Sequence, residues 1–164
     1  YDADALITTK KNLLLVVSTA DCMPVVISDN KRIGIIHAGW KGAFKGIVKK
    51  TIQLLKKNGC SEKDMIACIG PCIKKNSYEV KNDFFKLFKN KNKKNVNFFT
   101  FKKKKIYFDL SEYIKSQFYE NGVKKIDIIR KDTFSLKNNF FSSRRSKKNK
   151  HNDYGRNISV IMIK

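Results

Sequence analysis

The chain has 164 residues, 41% of them hydrophobic, which is enough to bury the core of one domain and argues against wholesale disorder. Its 36 lysines and arginines against 14 acidic residues give a net charge of +22, which would attract polyanions. No apolar run approaches the roughly 18 residues of a membrane span, and the first residues lack a signal-peptide pattern. We therefore expect a cytoplasmic protein that does not interact with a membrane.

The basic residues are spread along the whole chain and interleaved with asparagine, as in residues 90–95. No RRM, KH, zinc-finger or helix-turn-helix pattern accompanies them. A compositional bias therefore explains the charge better than dedicated nucleic-acid binding, which we keep as the non-enzymatic alternative. The four cysteines, at positions 22, 60, 68 and 72, contain no C-x-x-C pair. We expect free thiols, with the last three as packing residues.

Strands and helices alternate along the chain, which indicates an α/β or α+β class. The first predicted elements are a buried strand over 13–18, strands over 25–28 and 33–38 joined by a turn, a helix over 41–57 that ends at Asn58-Gly59, and a strand over 65–70. They are followed by a helix that begins near residue 76 or 77, an exposed loop with a short edge strand over 89–105, a helix capped by Asp109 and Glu112, and strands over 125–129 and 158–163.

Cys22 and His37 are expected to converge on one face of the first hairpin. If the turn has two residues (29–30), Cys22 lies directly opposite His37, with Cβ atoms about 4.5–5.5 Å apart. A four-residue turn over 29–32 would make them diagonal neighbours on the same face, and Pro24 could disturb the ladder nearby. A thiolate and an imidazole suit zinc, which at a catalytic site needs a further protein ligand and an open position.

Other interpretations of this pair remain open at the level of sequence. A core cysteine beside a hydrogen-bonded strand histidine is the simpler one for a lone Cys and a lone His. A Cys–His hydrolytic pair, in which His37 lowers the pKa of the Cys22 thiol, is a second functional interpretation. If the pair binds metal, Asp21 is the candidate to accept a hydrogen bond from the imidazole N–H.

Two further segments carry candidate binding groups. Residues 37–42 (HAGWKG) lie where a strand gives way to a helix, so their backbone N–H groups and glycines suit an anion. Trp40 could stack on a base or belong to the core. Residues 140–145 (FFSSRR) place two arginines after an aromatic pair. Arginine suits bidentate binding of phosphate or carboxylate. A solvent-exposed basic loop without a ligand is the alternative interpretation of this segment.

Several short motifs, in one order, carry a resemblance to a known family. They are ADALIT at 3–8, TADCMP at 19–24, HAGWKG at 37–42, IGPCI at 69–73, YEV at 78–80, YFDL at 107–110, DT at 132–133, FFSSRR at 140–145 and GR at 155–156. A series of motifs is far more specific than any one of them. The chain resembles the YfiH/DUF152 family, also called peptidoglycan editing factor or polyphenol oxidoreductase (laccase-like), over essentially its whole length.

The resemblance implies a single α/β (α+β) sandwich, a mixed sheet with flanking helices similar to a bacterial toxin cysteine hydrolase. It also implies zinc-dependent phosphorolysis of adenosine, inosine and S-methyl-5′-thioadenosine, with adenosine deamination alongside. Cys22 and His37 match two of the family's metal ligands and are the expected catalytic residues. The third ligand, a histidine in a Q-V-H segment, would precede Tyr1. We therefore expect residues 1–164 to form one domain that lacks its N-terminal part.

Zinc acting as a Lewis acid on water would explain deamination at C6 of adenine. Phosphorolysis instead needs phosphate held against the anomeric carbon of the ribose. Lys41, Arg144, Arg145 and the helix start after Gly39 are the candidates to hold it. Lys41 stands where the family usually has arginine, and Thr133-Phe134 stands where many members have Cys-Thr.

The partners implied are a nucleoside and phosphate, with a homodimer as the assembly to consider. Two rival enzymatic functions are a laccase-like copper polyphenol oxidase and a peptidoglycan-precursor amidase with Cys22 as nucleophile. Copper sites of the first kind need several histidines, and the chain has two. Zinc is therefore favoured over copper.

Overall fold

A computed structural model describes residues 3–29 and 31–164, with a five-stranded mixed sheet at its centre. In spatial order its strands are β1 (Ala5–Thr8), β4 (Ile33–Ala38), β3 (Met23–Ser28), β5 (Ile66–Ile69) and β9 (Lys125–Ile128). The first four pair antiparallel, whereas β9 adds in parallel to β5. The mixed sheet confirms the predicted fold class.

Two smaller sheets and a set of short helices surround this sheet. A two-stranded ribbon consists of β2 (Leu15–Thr19) and β10 (Asn157–Ile161), and a three-stranded sheet consists of β6 (Glu79–Val80), β8 (Lys105–Phe108) and β7 (Phe99–Lys102). The α-helices are α1 (Trp40–Phe44), α2 (Ile47–Lys57), α3 (Asn82–Lys91), α4 (Leu110–Glu120) and α5 (Ser143–Lys148). Short 3₁₀ turns lie at Lys75–Ser77, Lys93–Phe98 and Leu136–Asn138. In the part of the chain that the structure describes, no helix has the length and apolar character needed to cross a membrane.

The central sheet is covered on both faces, because its strands direct apolar side chains alternately to each side. On one face α2 packs against it with α4 alongside, and Ile52 and Phe118 are buried there. On the other face the β2–β10 ribbon lies over Ile33 and Ile35. The layers form the expected sandwich. At the end of the sheet where β3 begins and β4 ends, the chain continues directly into α1.

The β3–β4 hairpin has the longer of the two connections considered above. Ser28 pairs with Ile33, so residues 29–32 connect the strands; Asn30 among them lies outside the described residues. The two-residue turn is therefore wrong and the four-residue alternative is correct. This register decides how the side chains at the other end of the hairpin are placed.

Pro24 does not disturb this ladder. It lies opposite His37, whose backbone N–H donates instead to the Asp4 carbonyl oxygen at 2.7 Å. The Pro24 carbonyl oxygen accepts from the Gly70 N–H at 2.8 Å. The Pro24–His37 pair thus needs no N–H from proline, and the strand continues through it.

Asp29 stabilises the connection that sets the register. Its carboxylate accepts hydrogen bonds from the backbone N–H groups of Lys31 and Arg32 and from the Arg32 guanidinium, the last at 2.9 Å. Burial by itself would raise the pKa of Asp29, but these bonds and one with the Cys60 thiol outweigh it and lower the pKa from 3.8 to about 2. The folded state therefore holds this carboxylate in its charged form.

We expect Asp29→Asn to lower the free energy of unfolding by about 1 kcal/mol at neutral pH, less than the full equivalent of the pKa shift, because solvent screens the carboxylate. Because the folded-state pKa is the lower one, the stabilisation is fully present above the unfolded-state value and is lost as the pH falls from about 4 to about 2. Urea unfolding of both proteins across this range measures the difference. A difference that does not change with pH would contradict the assignment.

Two predicted elements near the hairpin differ from the observed ones. The helix predicted over 41–57 is two helices, α1 and α2, because Gly46 adopts a left-handed φ of 82° between them. The strand predicted over 13–18 begins only at Leu15 and is not buried on both faces. It pairs with β10 in a ribbon whose outer face is open among the described residues, so Val16 is 45% exposed.

The lysine-rich middle of the chain is more ordered than its composition indicated. Helix α3 begins at Asn82, later than predicted, because the short strand β6 precedes it and pairs with β8. The segment over 89–105, predicted as a loop with a short edge strand, contains the end of α3, a 3₁₀ turn and the start of β8. The predicted edge strand is confirmed, because β7 lies at the edge of its sheet. Phe108 in β8 packs on Phe88 in α3 with ring centroids 4.8 Å apart. Aromatic packing therefore orders a segment that looks like a solvated loop.

Candidate functional site

Cys22 and His37 lie at one end of the central sheet, where β3 begins and β4 ends. Because Pro24 pairs with His37, Cys22 is the diagonal neighbour of His37 on the same face. Gly39, the N-cap of α1, leaves space beside them: a Cβ there would lie 2.9 Å from Cys22 Sγ and 3.9 Å from His37 Nε2. The sulfur and the ring nitrogen therefore border one small space.

The His37 ring is oriented by Asp4. His37 Nδ1 lies 3.0 Å from Asp4 Oδ1, and because a carboxylate only accepts, Nδ1–H is the hydrogen-bond donor of this pair. Nε2 then carries the free lone pair, which is the arrangement that suits a metal-binding histidine. The expectation that Asp21 would support the imidazole is wrong, because the Asp21 carboxylate accepts hydrogen bonds from Thr133 and Arg144 instead.

The Cys22 thiol is largely shielded from water. Burial raises the pKa of Cys22 to about 11, and the nearby carboxylates of Asp21 and Asp4 add to the effect. A thiol in such surroundings stays protonated at neutral pH, so the site does not favour the activated thiolate of a Cys–His hydrolase. A bound cation would oppose both effects by stabilising the thiolate. Within residues 3–29 and 31–164 no group of three Cys, His, Asp or Glu side chains is placed to hold a metal ion.

A recess with two parts opens beside Cys22. The inner cavity, of about 260 Å³, is bordered by residues from several elements, among them Asp21, Cys22, Trp40, Tyr78, Arg144 and Lys147. The outer cavity, of about 430 Å³, shares Trp40, Tyr78 and Arg144 with the inner one. The shared wall thus combines two aromatic rings with a cation, next to the sulfur of Cys22.

The two neighbouring arginines occupy different surroundings. Arg144 lines both cavities, stacks over the Tyr78 ring at 5.3 Å and donates to the Glu79 carbonyl oxygen at 2.7 Å. Arg145 donates to three backbone carbonyl groups at distances of 2.6 to 3.0 Å. Its guanidinium therefore serves the packing of nearby loops and lines neither cavity.

Lys41 also lies away from the recess. It is exposed, and its Nζ is 5.7 Å from the centre of the Trp40 ring. Lys147 borders the inner cavity in its place, three residues after Arg144 in α5. Sequence reasoning missed Lys147 because α5 is too short for a helical pattern, although Ser142, its N-cap, was a usable signal.

The sequence matches, over residues 1–164, the family model described as multi-copper polyphenol oxidoreductase laccase. It is 40% identical to a purine nucleoside phosphorylase of Rickettsia conorii, over 99% of this chain and 69% of that protein. The enzyme of the same name from Rickettsia prowazekii is also 40% identical, over 88% of this chain and 61% of its own length. The one from Aquifex aeolicus is 38% identical, over 80% and 60%. The chain thus spans between 60 and 69% of these three relatives.

Solved structures agree with this relationship. The YfiH protein of Bacillus licheniformis superimposes with a TM-score of 0.86 at 30% identity, over 98% of this chain and 61% of that one. A DUF152 protein of Neisseria meningitidis superimposes with a TM-score of 0.86 at 28% identity, over 99% and 65%. Together with the match to the family model over its whole length, these findings show that the chain belongs to the YfiH/DUF152 family of laccase-like proteins.

Proposed function

We propose that the protein is a zinc-dependent purine nucleoside phosphorylase that accepts adenosine, inosine and S-methyl-5′-thioadenosine and also deaminates adenosine. One observation carries the proposal: Cys22 and His37 border one small space beside a recess lined by Arg144 and two aromatic rings. The names of the Rickettsia and Aquifex relatives support the reaction class. Because the chain spans only part of those relatives, the activity is proposed for the full-length natural protein. Four free thiols support a cytoplasmic location.

Cys22 Sγ and His37 Nε2 would hold the metal. The donor set fits zinc, since one thiolate and one imidazole are typical zinc ligands, and the Asp4 carboxylate supports the imidazole from its other nitrogen. Gly39 fits as well, because a side chain there would occupy the space between the donors. Zinc bound here would supply Lewis-acid polarisation of a substrate or water oxygen.

The remaining residues suit a nucleoside and a phosphate. In phosphorolysis a phosphate oxygen bonds to C1′ of the ribose as the C1′–N9 bond breaks; the purine leaves with the electron pair and takes the proton that hydrogen phosphate gives up. Arg144 would hold the phosphate, because its planar guanidinium suits bidentate contact and Lys147 adds a second cation. Trp40 and Tyr78 would contact the flat face of the base.

Metal replacement separates this function from its rivals. We expect the full-length natural protein, stripped of metal and reloaded with zinc, to release hypoxanthine from inosine only when phosphate is present. Phenol oxidation by the copper-loaded protein, without base release, would favour the polyphenol oxidase. Hydrolysis of a peptidoglycan precursor by the metal-free protein would favour the amidase. Submicromolar binding of DNA or RNA that weakens steeply with salt, without turnover, would favour the nucleic-acid-binding alternative.

Gly39→Ala tests whether a metal occupies the space between the donors. The added Cβ would lie 2.9 Å from Cys22 Sγ and must displace it, so we expect the Kd for Co²⁺ to rise by about tenfold or more. The backbone tolerates alanine, since φ at Gly39 is −72°. Gly42→Ala is the matched control, because its Cβ would meet nothing closer than 3.6 Å. The absorption of bound cobalt measures the Co²⁺ affinity of each variant. Equal affinities of Gly39→Ala and Gly42→Ala would contradict the proposed metal position.

A further inference from the structure

Asp21 occupies an unusual position directly before Cys22. We infer that it is a positioning residue that fixes Cys22 relative to Arg144, an inference that rests on the proposed function. Asp21 is 9% exposed and has a φ of 81°, in the left-handed region that residues other than glycine rarely adopt. Such a backbone persists only where its surroundings hold it in place.

The carboxylate of Asp21 accepts hydrogen bonds from two distant parts of the chain. Its Oδ1 accepts from the Thr133 hydroxyl at 2.8 Å, and its Oδ2 accepts from the Arg144 backbone N–H at 2.6 Å. The Asp21 carbonyl oxygen accepts from the Ile73 N–H at 3.1 Å. One residue therefore ties the start of β3 to the segment after β5, to Thr133 and to the first turn of α5.

This arrangement links two residues that border the inner cavity, Cys22 and Arg144. The carboxylate binds the backbone of Arg144, whereas the guanidinium donates to the Glu79 carbonyl oxygen. Asp21 thus fixes where α5 begins without pairing with the charged group that would hold phosphate. Without the carboxylate, the hydrogen bond between the Cys22 segment and α5 would be lost.

A role as catalytic base would require a different geometry. A base needs a carboxylate oxygen directed at the substrate. Both oxygens of Asp21 instead accept hydrogen bonds from groups of the protein itself, and one of those donors, Thr133, is 1% exposed. These hydrogen bonds connect Asp21 to Thr133 and to the first turn of α5, as expected of a positioning residue.

Two substitutions distinguish the effect of the Asp21 backbone conformation from the effect of its carboxylate hydrogen bonds. Asp21→Asn keeps the side-chain shape, tolerates the left-handed φ and satisfies both partners, because its oxygen accepts from the Arg144 N–H and its amide donates to the Thr133 oxygen. Asp21→Gly adopts the same φ without strain but removes both hydrogen bonds. In the full-length natural protein we expect Asp21→Gly to raise both the Kd for Co²⁺ and the KM for phosphate by about tenfold or more. Asp21→Asn should stay within about threefold of wild type in both.

Two other results for these variants would overturn the inference. A loss of about 100-fold or more in kcat for Asp21→Asn, with both constants unchanged, would identify a catalytic base. A lowered Tm for Asp21→Gly with unchanged Kd and KM would identify a purely structural residue. If Asp21→Gly does not fold, Thr133→Val removes one of the two bonds and should raise both constants by about fivefold, beyond the range expected for Asp21→Asn; no change beyond about threefold would overturn the inference. Absence of base release by the wild type would defeat the proposed function instead, and the Co²⁺ affinities would still decide the role of Asp21.

Discussion

Replacing Cys22 with alanine should remove both the bound metal and the turnover of the full-length natural protein. Since a catalytic metal contributes several kcal/mol, kcat/KM for phosphate-dependent release of hypoxanthine from inosine should fall by about 10³-fold or more. Only one imidazole nitrogen of the converging pair, His37 Nε2, would remain as a donor. Metal content per chain and steady-state kinetics on the same preparation measure the two effects.

Cys68→Ala is the control for this substitution. Cys68 is a half-buried thiol in β5, and it lines neither part of the recess. We expect this variant to keep its zinc and to stay within about threefold of the wild-type rate. A Cys22→Ala protein that keeps both its zinc and its turnover would defeat the metal-site hypothesis.

Arg144→Ala and Arg145→Ala should separate function from stability at adjacent positions. Arg144 lines the recess, so its loss should raise the KM for phosphate by about 10- to 100-fold, the equivalent of one charge-assisted hydrogen bond. Arg145 donates to three carbonyl groups, so its loss should lower the free energy of unfolding by about 2–3 kcal/mol. Phosphate kinetics and urea unfolding, applied to both variants, measure the two effects.

The two arginine variants serve as controls for each other. Arg144→Ala should keep most of its stability, and Arg145→Ala should keep its KM at temperatures where it remains folded. The reverse pattern, a raised KM for Arg145→Ala alone, would show that phosphate binds away from the inner cavity. Lys41→Ala extends the comparison, and we expect no change in KM because Lys41 is exposed outside the recess.

The β3–β4 hairpin shows which features of the site can be predicted from the sequence. Apolar runs locate both strands, and alternation places Cys22 and His37 on one face whichever turn is used. Choosing between the two turns needs the structure, because the hydrogen bonds from Lys31 and Arg32 to Asp29 favour the longer connection. Both turns keep the same faces inward, so hydrophobic patterning cannot distinguish them.

Contacts between distant segments could not be predicted from the sequence. The partner of His37 is Asp4, which β1 brings beside the end of β4, and the neighbouring Asp21 has a separate role. Likewise, α5 has no apolar periodicity and forms where Ser142 and Asp21 accept N–H groups of its first turn. Residues adjacent in sequence, such as Arg144 and Arg145, therefore differ in role for reasons that only the fold reveals.

The products formed from inosine test the central claim most directly. If the recess beside Cys22 and His37 carries out phosphorolysis, the zinc-loaded, full-length natural protein should form hypoxanthine and ribose 1-phosphate in equal amounts, at a rate that rises with phosphate and saturates. Free ribose in place of ribose 1-phosphate would show hydrolysis, and no release of hypoxanthine would show that the recess does not act on this nucleoside. Either result would contradict the proposed function.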